Sequence, residues 1–398
     1  TTKGSLSDYS FDGTVLGQHA TVSDPVSGDQ TWEKVVSKNL GLDLNMFNNR
    51  LSLTTDFYIR DTKGILGKGK SLPSIYGASE PQMNANNLRT KGYELVLGWR
   101  DSFKLAGSTF SYGITGTFSD YTAEYTKCDN PTGLIGDPYV GKKYGEIWGY
   151  KVDGLFRNDK EAAEYASRID LSTVASGYYT ATGAYGKGVR GGDIKYLDLN
   201  GDNIVNGGKG TLDDPGDRRV IGNSSPRYQY GASLNFSWYG FDVSVFMQGI
   251  GRLDWYPGAD NLRFWGPYCR PYATFVPKNF MSQVWSEENP DAYFPRARAY
   301  TSLNSNSGTA YYTNDRYLQN LAYCRLKNLT IGYTIPRRLT SKVGIKECRI
   351  YFSGENLATW SALKSDFLDP EQAAADSDKK ANVYPWCKTY SIGLNLTF

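Results

Sequence analysis

The chain has 398 residues and is rich in aromatic residues, with 31 Tyr, 17 Phe and 9 Trp, yet its mean hydropathy is −0.50. It contains no run of about eighteen apolar residues, which excludes transmembrane helices, and its net charge of +3 argues against a nucleic-acid partner. This combination is typical of a wall with one lipid face and one wet face.

The histidine and cysteine content limits the kinds of functional site that the chain can form. The single histidine, His19, argues against histidine-based catalysis and against metal sites built from several histidines. The five cysteines show no CxxC spacing and one is left over if they pair, so we expect free, packed cysteines and no disulfide framework. No acid–base pair or activated nucleophile stands out, and we expect no enzymatic activity.

Alternation of apolar and polar residues predicts nine β-strands, because successive side chains of a strand point to opposite faces. The last strand shows the pattern clearly, with Tyr390, Ile392, Leu394, Leu396 and the terminal Phe398 on one face. Taken alone, this strand fits either a soluble sandwich or a membrane barrel. Outer-membrane barrels usually end with a strand of this kind. In chain order, the predicted strands lie at residues 40–46, 51–60, 93–99, 110–118, 228–238, 241–248, 322–335, 348–357 and 389–398.

The lengths of the connections alternate between short and long. Tight turns are predicted at residues 48–49, 101–108, 239–240 and 336–345, and long connections at 61–89, 120–226, 252–321 and 358–388. Outer-membrane barrels have short periplasmic turns and long extracellular loops. We therefore expect residues 1–38 and the four long connections to be extracellular, residues 39–398 to hold the barrel strands, and the carboxy-terminus to be periplasmic. The strand-like segment 147–152 would break the alternation, and we assign it to an outer loop.

Nine strands are too few to close the barrel that this pattern belongs to, and bacterial single-chain barrels have an even number. The sequence therefore predicts the carboxy-terminal part of a larger barrel.

Several short sequence segments, in this order, resemble segments of the barrel of SusC/RagA-type TonB-dependent outer-membrane transporters. They are TWEK at 31–34, FNNRL at 47–51, DFYIRDTK at 56–63, NLRTKGYEL at 87–95, GEIWGYKVDGLF at 145–156, GDIKYLDLNGD at 192–202, IGNSSPRY at 221–228, LKNLTIGY at 326–333 and SGENL at 353–357. The resemblance implies a plugged, 22-stranded barrel in the bacterial outer membrane that imports nutrients. It also implies a SusD-like lipoprotein over the outer mouth, and coupling to the TonB complex through an amino-terminal part that this sequence does not contain.

One outer loop has the spacing of a calcium-binding loop. Asp198, Asn200 and Asp202 place oxygens at positions 1, 3 and 5, and the Ile204 carbonyl stands at position 7. Position 12 is Lys209 where a bidentate glutamate is usual, so Asp213, Asp214 or Asp217 would have to supply that carboxylate. We predict a structural Ca²⁺ site with Asp217 as the further ligand; the alternative is a polar loop held by Asx-turns.

A second candidate site is the aromatic segment of the third long connection. Saccharides stack on aromatic rings while charged and amide side chains hold their hydroxyl groups, so we predict ligand contacts here; the alternative is that these rings pack loop against loop. The predicted ligand-binding residues are Trp255, Tyr256, Asp260, Arg263, Trp265 and Tyr268.

Together these patterns predict an outer-membrane importer of oligosaccharides that works with a SusD-like lipoprotein. A peptide importer of the same type would use similar loops. A passive or adhesive barrel is an alternative of another class, and a soluble lectin-like sandwich is a third alternative.

Overall fold

The computed structural model describes most of the chain, as strands and as the loops that connect them. The described residues are 2–5, 18–21, 27–28, 30–68, 81–180, 188–269, 272, 276–298, 303, 308–365, 367–375 and 384–398. No helix in these segments is long and apolar enough to span a membrane.

Strands dominate the described residues. They are β1 (Thr2–Ser5), β2 (Gln18–Thr21), β3 (Lys34–Met46), β4 (Leu51–Lys68), β5 (Gln82–Leu105), β6 (Ser108–Lys127), β7 (Glu146–Tyr150), β8 (Val152–Leu155), β9 (Ile194–Tyr196), β10 (Arg218–Asn223), β11 (Arg227–Trp238), β12 (Phe241–Arg252), β13 (Asp254–Trp255), β14 (Gln319–Asn320), β15 (Tyr323–Thr334), β16 (Glu347–Ser361) and β17 (Thr389–Thr397). The α-helices are α1 (Asp159–Ala166), α2 (Ser176–Thr180), α3 (Leu262–Trp265) and α4 (Arg337–Thr340), and 3₁₀ turns span Gly266–Tyr268, Phe280–Gln283 and Ser341–Val343.

The largest sheet of the described residues is a nine-stranded meander. Its strand order is β17-β16-β15-β12-β11-β6-β5-β4-β3, so each of the nine strands bonds to the next of them along the chain. These are the nine strands that the alternation predicts. Strand β7, which contains most of segment 147–152, pairs with β10 outside this sheet, which confirms its assignment to a loop.

The register of the sheet separates one apolar face from one polar face. Phe236 lies opposite Val243 and Tyr112, and the row continues through Ile331, Phe352 and Ile392. The next residue on each strand forms the row Gly113, Asn235, Ser244, Thr330, Ser353 and Ser391 on the other face. Because the side-chain period is two, a slip of one residue would exchange the two rows completely.

Aromatic rings border the apolar face at both ends of its aliphatic band. Near the tight turns, Phe103, Phe110 and Phe236 are in contact, and so are Phe241 and Tyr333, whose ring centroids lie 4.6 Å apart. At the other end runs a second row of contacting rings, Phe57, Tyr93, Phe118 and Tyr228. Phe110 and Phe118 are eight residues apart on β6, which is about 20 Å across a membrane for a strand tilted by about 40°. This spacing matches the aromatic girdles of a membrane barrel.

The four predicted tight turns are confirmed. Asn48 and Asn49 have positive φ values of 55° and 61° between β3 and β4, and Tyr239 and Gly240 also have positive φ values between β11 and β12. A hairpin of this length needs left-handed backbone, which Asn and Gly adopt most readily. Short turns join β5 to β6 and β15 to β16 as well.

Several strands are longer than the sequence predicts. β4 continues to Lys68 and β5 begins at Gln82, although a loop is expected at 61–89; likewise β6 continues to Lys127 and β3 begins at Lys34. Polar side chains extend the sheet: Arg89 Nε donates to Asp61 Oδ1 at 2.7 Å, and the Gly64 amide donates to Asn87 Oδ1 at 3.0 Å. Apolar alternation does not detect such strand ends.

The chain divides into two compact units. One comprises residues 1–38, 58–91 and 122–143, and the other comprises 39–57, 92–121 and 144–398. The second unit contains the apolar and polar rows described above, the connection after β6 from residue 144 onward, and the described parts of the connections after β12 and β16.

We expect the apolar face to contact lipid. Val245→Lys should therefore cost about 2–4 kcal/mol in unfolding free energy, because a charge would enter the middle of the bilayer. The measurement is denaturant unfolding of the protein in lipid bilayers. The matched control is Ser244→Lys, one residue along β12 on the polar face, which should cost much less. Equal costs for the two variants would contradict the assignment of the faces.

Candidate functional site

The long connections after β6, β12 and β16 share one hydrophobic core. Its members come from all three connections and include Phe156, Trp265, Tyr317, Leu368 and Ala373, each of them buried. Long loops lose much conformational entropy when they become ordered. Burial of this many aromatic and aliphatic groups offsets that loss, and the connections pack together around this core.

Buried tyrosines and one asparagine form the polar centre of this loop core. Asn314 is fully buried; its Nδ2 donates to the Tyr256 hydroxyl at 3.0 Å, and its Oδ1 accepts the Tyr317 amide at 3.1 Å. Burial raises the pKa of Tyr256 well above its usual value, and it raises the pKa of Tyr150 to about 12. These hydroxyls therefore remain protonated donors at any physiological pH.

A buried ion pair joins the first two of these connections. Arg298 Nη2 and Asp193 Oδ2 lie 2.5 Å apart, Nε donates to Oδ1 at 2.9 Å, and both side chains are at most 2% exposed. The guanidinium also lies 4.1 Å from the centroid of the Tyr178 ring. Because a buried charge without a partner is costly, each residue fixes the position of the other.

The structure places the predicted ligand-binding residues in two groups. Trp255, Tyr256, Trp265 and Tyr268 are buried in the loop core, at most 6% exposed. Asp260 and Arg263 are exposed. In this arrangement the four rings stabilise the loops, and only the two charged side chains face outward. The ligand contacts of the segment stay a prediction.

Local capping explains the inward direction of the rings. The Asn261 side chain accepts the Phe264 amide at 3.0 Å and caps α3. The helix then directs Phe264 and Trp265 into the core, where the centroids of Trp265 and Tyr317 lie 5.1 Å apart. The cap fixes where the helix begins, and the packing partners of the rings are distant in sequence.

The predicted calcium loop is held by its own backbone. Asp198 accepts the amides of Gly201 at 2.7 Å and Asn203 at 2.9 Å, and Asp202 accepts the Ile204 amide at 2.8 Å. Asp217 is fully buried and accepts amides of the same loop. The pattern is that of successive Asx-turns, the alternative to a metal site.

Asp217 also accepts hydrogen bonds from backbone amides. Its Oδ1 accepts the Leu199 amide at 2.7 Å and its Oδ2 accepts the Asn206 amide at 2.9 Å. Within the described segments, no three His, Cys, Asp or Glu side chains converge as a metal site. Asn200 Oδ1 likewise accepts the Asp202 amide at 3.1 Å. The oxygens of the loop therefore bind its own amides in this structure, and the calcium site stays a prediction.

A second ionic cluster, which sequence reasoning missed, fixes the last long connection to the polar face of the sheet. Arg325 on β15 is 2% exposed and binds Asp369 at 2.7 Å and Glu371 at 2.9 Å. Lys327 binds Glu371 at 2.9 Å, and Gln248 Nε2 donates to the same carboxylate at 3.2 Å. The segment around Asp369 therefore lies against the polar wall at the end of the strands away from the tight turns.

Next to this cluster, the polar wall is concave. A cavity of about 320 Å³ is lined by neutral polar side chains and by rings, among them Thr117, Ser119, Gln229, Gln248 and Tyr323. Gly231 and Gly249 also line it. Neighbouring groups occupy the space that a side chain would need at these positions, the Thr117 hydroxyl at Gly231 and the Tyr230 ring at Gly249. The surface offers hydroxyl and amide groups beside aromatic faces.

One apolar and one polar face, tight turns at one end of the strands and folded loops at the other define a wall segment of an outer-membrane-type β-barrel. Comparison with known proteins agrees with this class. No family model matches the chain. TonB-dependent receptor P3 of Formosa agariphila is 25% identical over 415 aligned residues, which cover 99% of this chain and 36% of the relative. TonB-dependent receptor SusC of Bacteroides thetaiotaomicron is 22% identical, with coverage of 92% and 32%.

A solved structure of the RagAB peptide transporter shares the fold. It aligns with a TM-score of 0.66 at 21% identity, over 100% of this chain and 38% of that chain. This chain thus spans little more than a third of the length of the curated relatives it matches. These comparisons confirm the resemblance to SusC/RagA-type TonB-dependent transporters that the short sequence segments predict.

The buried ion pair provides a test of the loop core. Asp193→Asn should destabilise the core by about 3–5 kcal/mol, because Arg298 keeps its charge without a counterion. Hydrogen exchange of the buried loop amides measures this loss. The control is Glu164→Gln in the exposed Lys160–Glu164 pair, with the two side chains 86% and 65% exposed, for which about 0–1 kcal/mol is expected. Unchanged protection in Asp193→Asn would contradict the role of the pair.

Proposed function

We propose that this chain is part of a TonB-dependent outer-membrane importer that takes up neutral oligosaccharides together with a SusD-like surface lipoprotein. The strands span the membrane, the folded connections lie outside the cell, and the polar face lines the path of the cargo. The names of the relatives support the class of importer. The chemistry of the polar face supports the choice of cargo.

The cavity beside β6 and β11 carries the proposal for the cargo. Its side chains Thr117, Ser119, Gln229 and Gln248 are uncharged hydrogen-bonding groups, and Phe246 and Tyr323 add rings. Neutral hydroxylated ligands need such groups to bind and to be oriented. The charged side chains nearby, Arg325 and Glu371, bind one another and Asp369. An uncharged, hydroxyl-rich cargo fits this surface better than a charged one.

A peptide importer is the second candidate. The observation that favours it is the fold that this chain shares with the RagAB peptide transporter. A peptide would also use the amide groups of Gln229 and Gln248. The two candidates differ in what the hydroxyl groups of the cavity contribute, because a saccharide depends on them more than an extended peptide does.

The test is to remove hydroxyl groups from the cavity while keeping its shape. Thr117→Val with Ser119→Ala should weaken the binding of a panel of neutral oligosaccharides by about 1–3 kcal/mol, as expected for two hydrogen bonds, or roughly 5- to 100-fold. Calorimetry on the purified transporter measures the affinity. Thr115→Val is the control, because Thr115 lies two residues away on the same strand and face but outside the cavity. If peptides bind, no oligosaccharide does and the double variant has no effect, the peptide importer is the better account.

A further inference from the structure

A group of basic side chains lies on β3, β4 and β5 toward the ends of these strands that are away from the tight turns. Lys34 and Lys38 belong to β3, Lys63 belongs to β4, and Arg89 and Lys91 belong to β5. All of them are exposed. We call this group the basic patch. Neither the cargo nor the lipoprotein of the function proposed above accounts for it.

On β4 and β5 the basic patch lies on the apolar face. Phe57 of β4 contacts Tyr93 of β5 in the row of rings at the outer end of this face. Lys63 and Lys91 are each separated from these rings by an even number of residues, so they point to the same side. Lys91 is two residues from Tyr93, which is about 5 Å across the membrane for a tilted strand. The patch on β5 therefore begins just beyond the ring row.

Strand β3 contributes to the same face. The Thr54 hydroxyl of β4 donates to Asp43 Oδ1 of β3 at 2.6 Å on the polar face. Lys34 and Lys38 are odd numbers of residues away from Asp43, so they point to the opposite side, as Leu40 does. The apolar alternation of β3 thus ends in lysines at its outer end.

The charges of this face are unbalanced beyond the ring row. Asp61 is the one acidic residue that the described parts of β3, β4 and β5 place there, and Arg89 binds it through two hydrogen bonds of 2.7 and 3.1 Å. Arg89 is also the one member of the patch with an ion pair to a described residue. The neighbouring strand β6 adds Glu124. An excess of positive charge remains.

Charge and position together indicate the ligand of the patch. Lys and Arg side chains bind phosphate oxygens through charge-assisted hydrogen bonds. At the border of an apolar band they extend to the level of the lipid head groups. Clusters of such residues at a membrane surface recognise anionic lipids. A soluble anion would use the charge of the patch but not its continuity with the apolar face.

We propose that the basic patch binds the phosphate groups of an anionic lipid of the outer leaflet, whose acyl chains lie against the apolar face. The lipid site goes beyond the cargo and the partner proposed above. It shares with them only the orientation of the strands, in which the apolar face contacts lipid.

The experiment uses the full-length transporter in a nonionic detergent, with lipid A, a phosphorylated glycolipid, as the probe. Native mass spectrometry measures the affinity for lipid A and for the same lipid with its phosphates removed. The phosphorylated form should bind at least about tenfold more tightly. Equal affinity for the two forms overturns the proposal. Inorganic phosphate should not displace the lipid, and displacement would assign the patch to a free anion and overturn the lipid site.

Variants of the patch test the residues. Lys63→Gln should weaken the binding of lipid A roughly fivefold, and Lys63→Gln with Lys91→Gln roughly thirtyfold, because each basic residue at such a surface contributes about the same amount. Asp61→Asn should strengthen it roughly fivefold, since it removes a negative charge from the patch. The matched control is Arg60→Gln. Arg60 is exposed on the opposite face of β4, and its variant should stay within about twofold of the wild type.

Thermal unfolding verifies that each variant is folded. Wild-type affinity in the folded double variant overturns the lipid site and leaves the proposed function intact. Weakening by Arg60→Gln in place of Lys63→Gln would place the lipid on the opposite face. That result overturns the lipid site and also the orientation on which the proposed function rests, so the two failures are distinguishable.

Discussion

The register of the nine-stranded sheet is the constraint on which the rest of the structure depends. Hydrogen bonding in this register brings Tyr112, Phe236, Val243, Ile331, Phe352 and Ile392 into one row across six strands, and puts a row of small polar residues behind it. A shift by one residue would turn the apolar row toward the polar side on every strand. The aromatic rings at both ends, the polar cavity and the position of the connections all follow from this register.

The long connections are not held by a regular pattern of backbone hydrogen bonds. They contain little regular structure, and they are held by burial of aromatic rings and by a few buried polar groups. Arg298 with Asp193, and Arg325 with Asp369 and Glu371, link segments far apart in sequence. Such pairs fix a position more than they add stability, because removing either partner leaves a buried charge. These pairs therefore hold the loops in one preformed arrangement.

The sequence predicts the strands well because alternation is a local signal. All nine strands and the four tight turns follow from period-two patterns and from the turn residues. The separate position of β7 follows from the alternation of short and long connections. The strand ends are predicted less well: Asp61 and Arg89 read as loop residues, although their ion pair extends a hairpin. The pairing of Arg298 with Asp193 gives no sequence signal, since 105 residues separate the two.

The candidate sites show where sequence patterns are ambiguous. Asp198, Asn200 and Asp202 suit a calcium loop and a series of Asx-turns alike, because their side-chain oxygens can bind either an ion or a nearby backbone amide. Trp255, Tyr256, Trp265 and Tyr268 have a composition that suits a ligand surface and a core equally. Trp265 packs against Tyr317 and Phe294, and Tyr268 packs against Phe294, contacts that no local pattern shows.

We propose that this chain forms part of the wall of a barrel that imports its cargo with energy supplied by TonB. The most direct measurement is uptake of labelled oligosaccharide by cells that carry the full-length transporter, with TonB present or deleted. The account predicts that uptake is lost without TonB, while binding of the oligosaccharide at the cell surface persists. Equal uptake in both strains would contradict it and would identify a passive barrel.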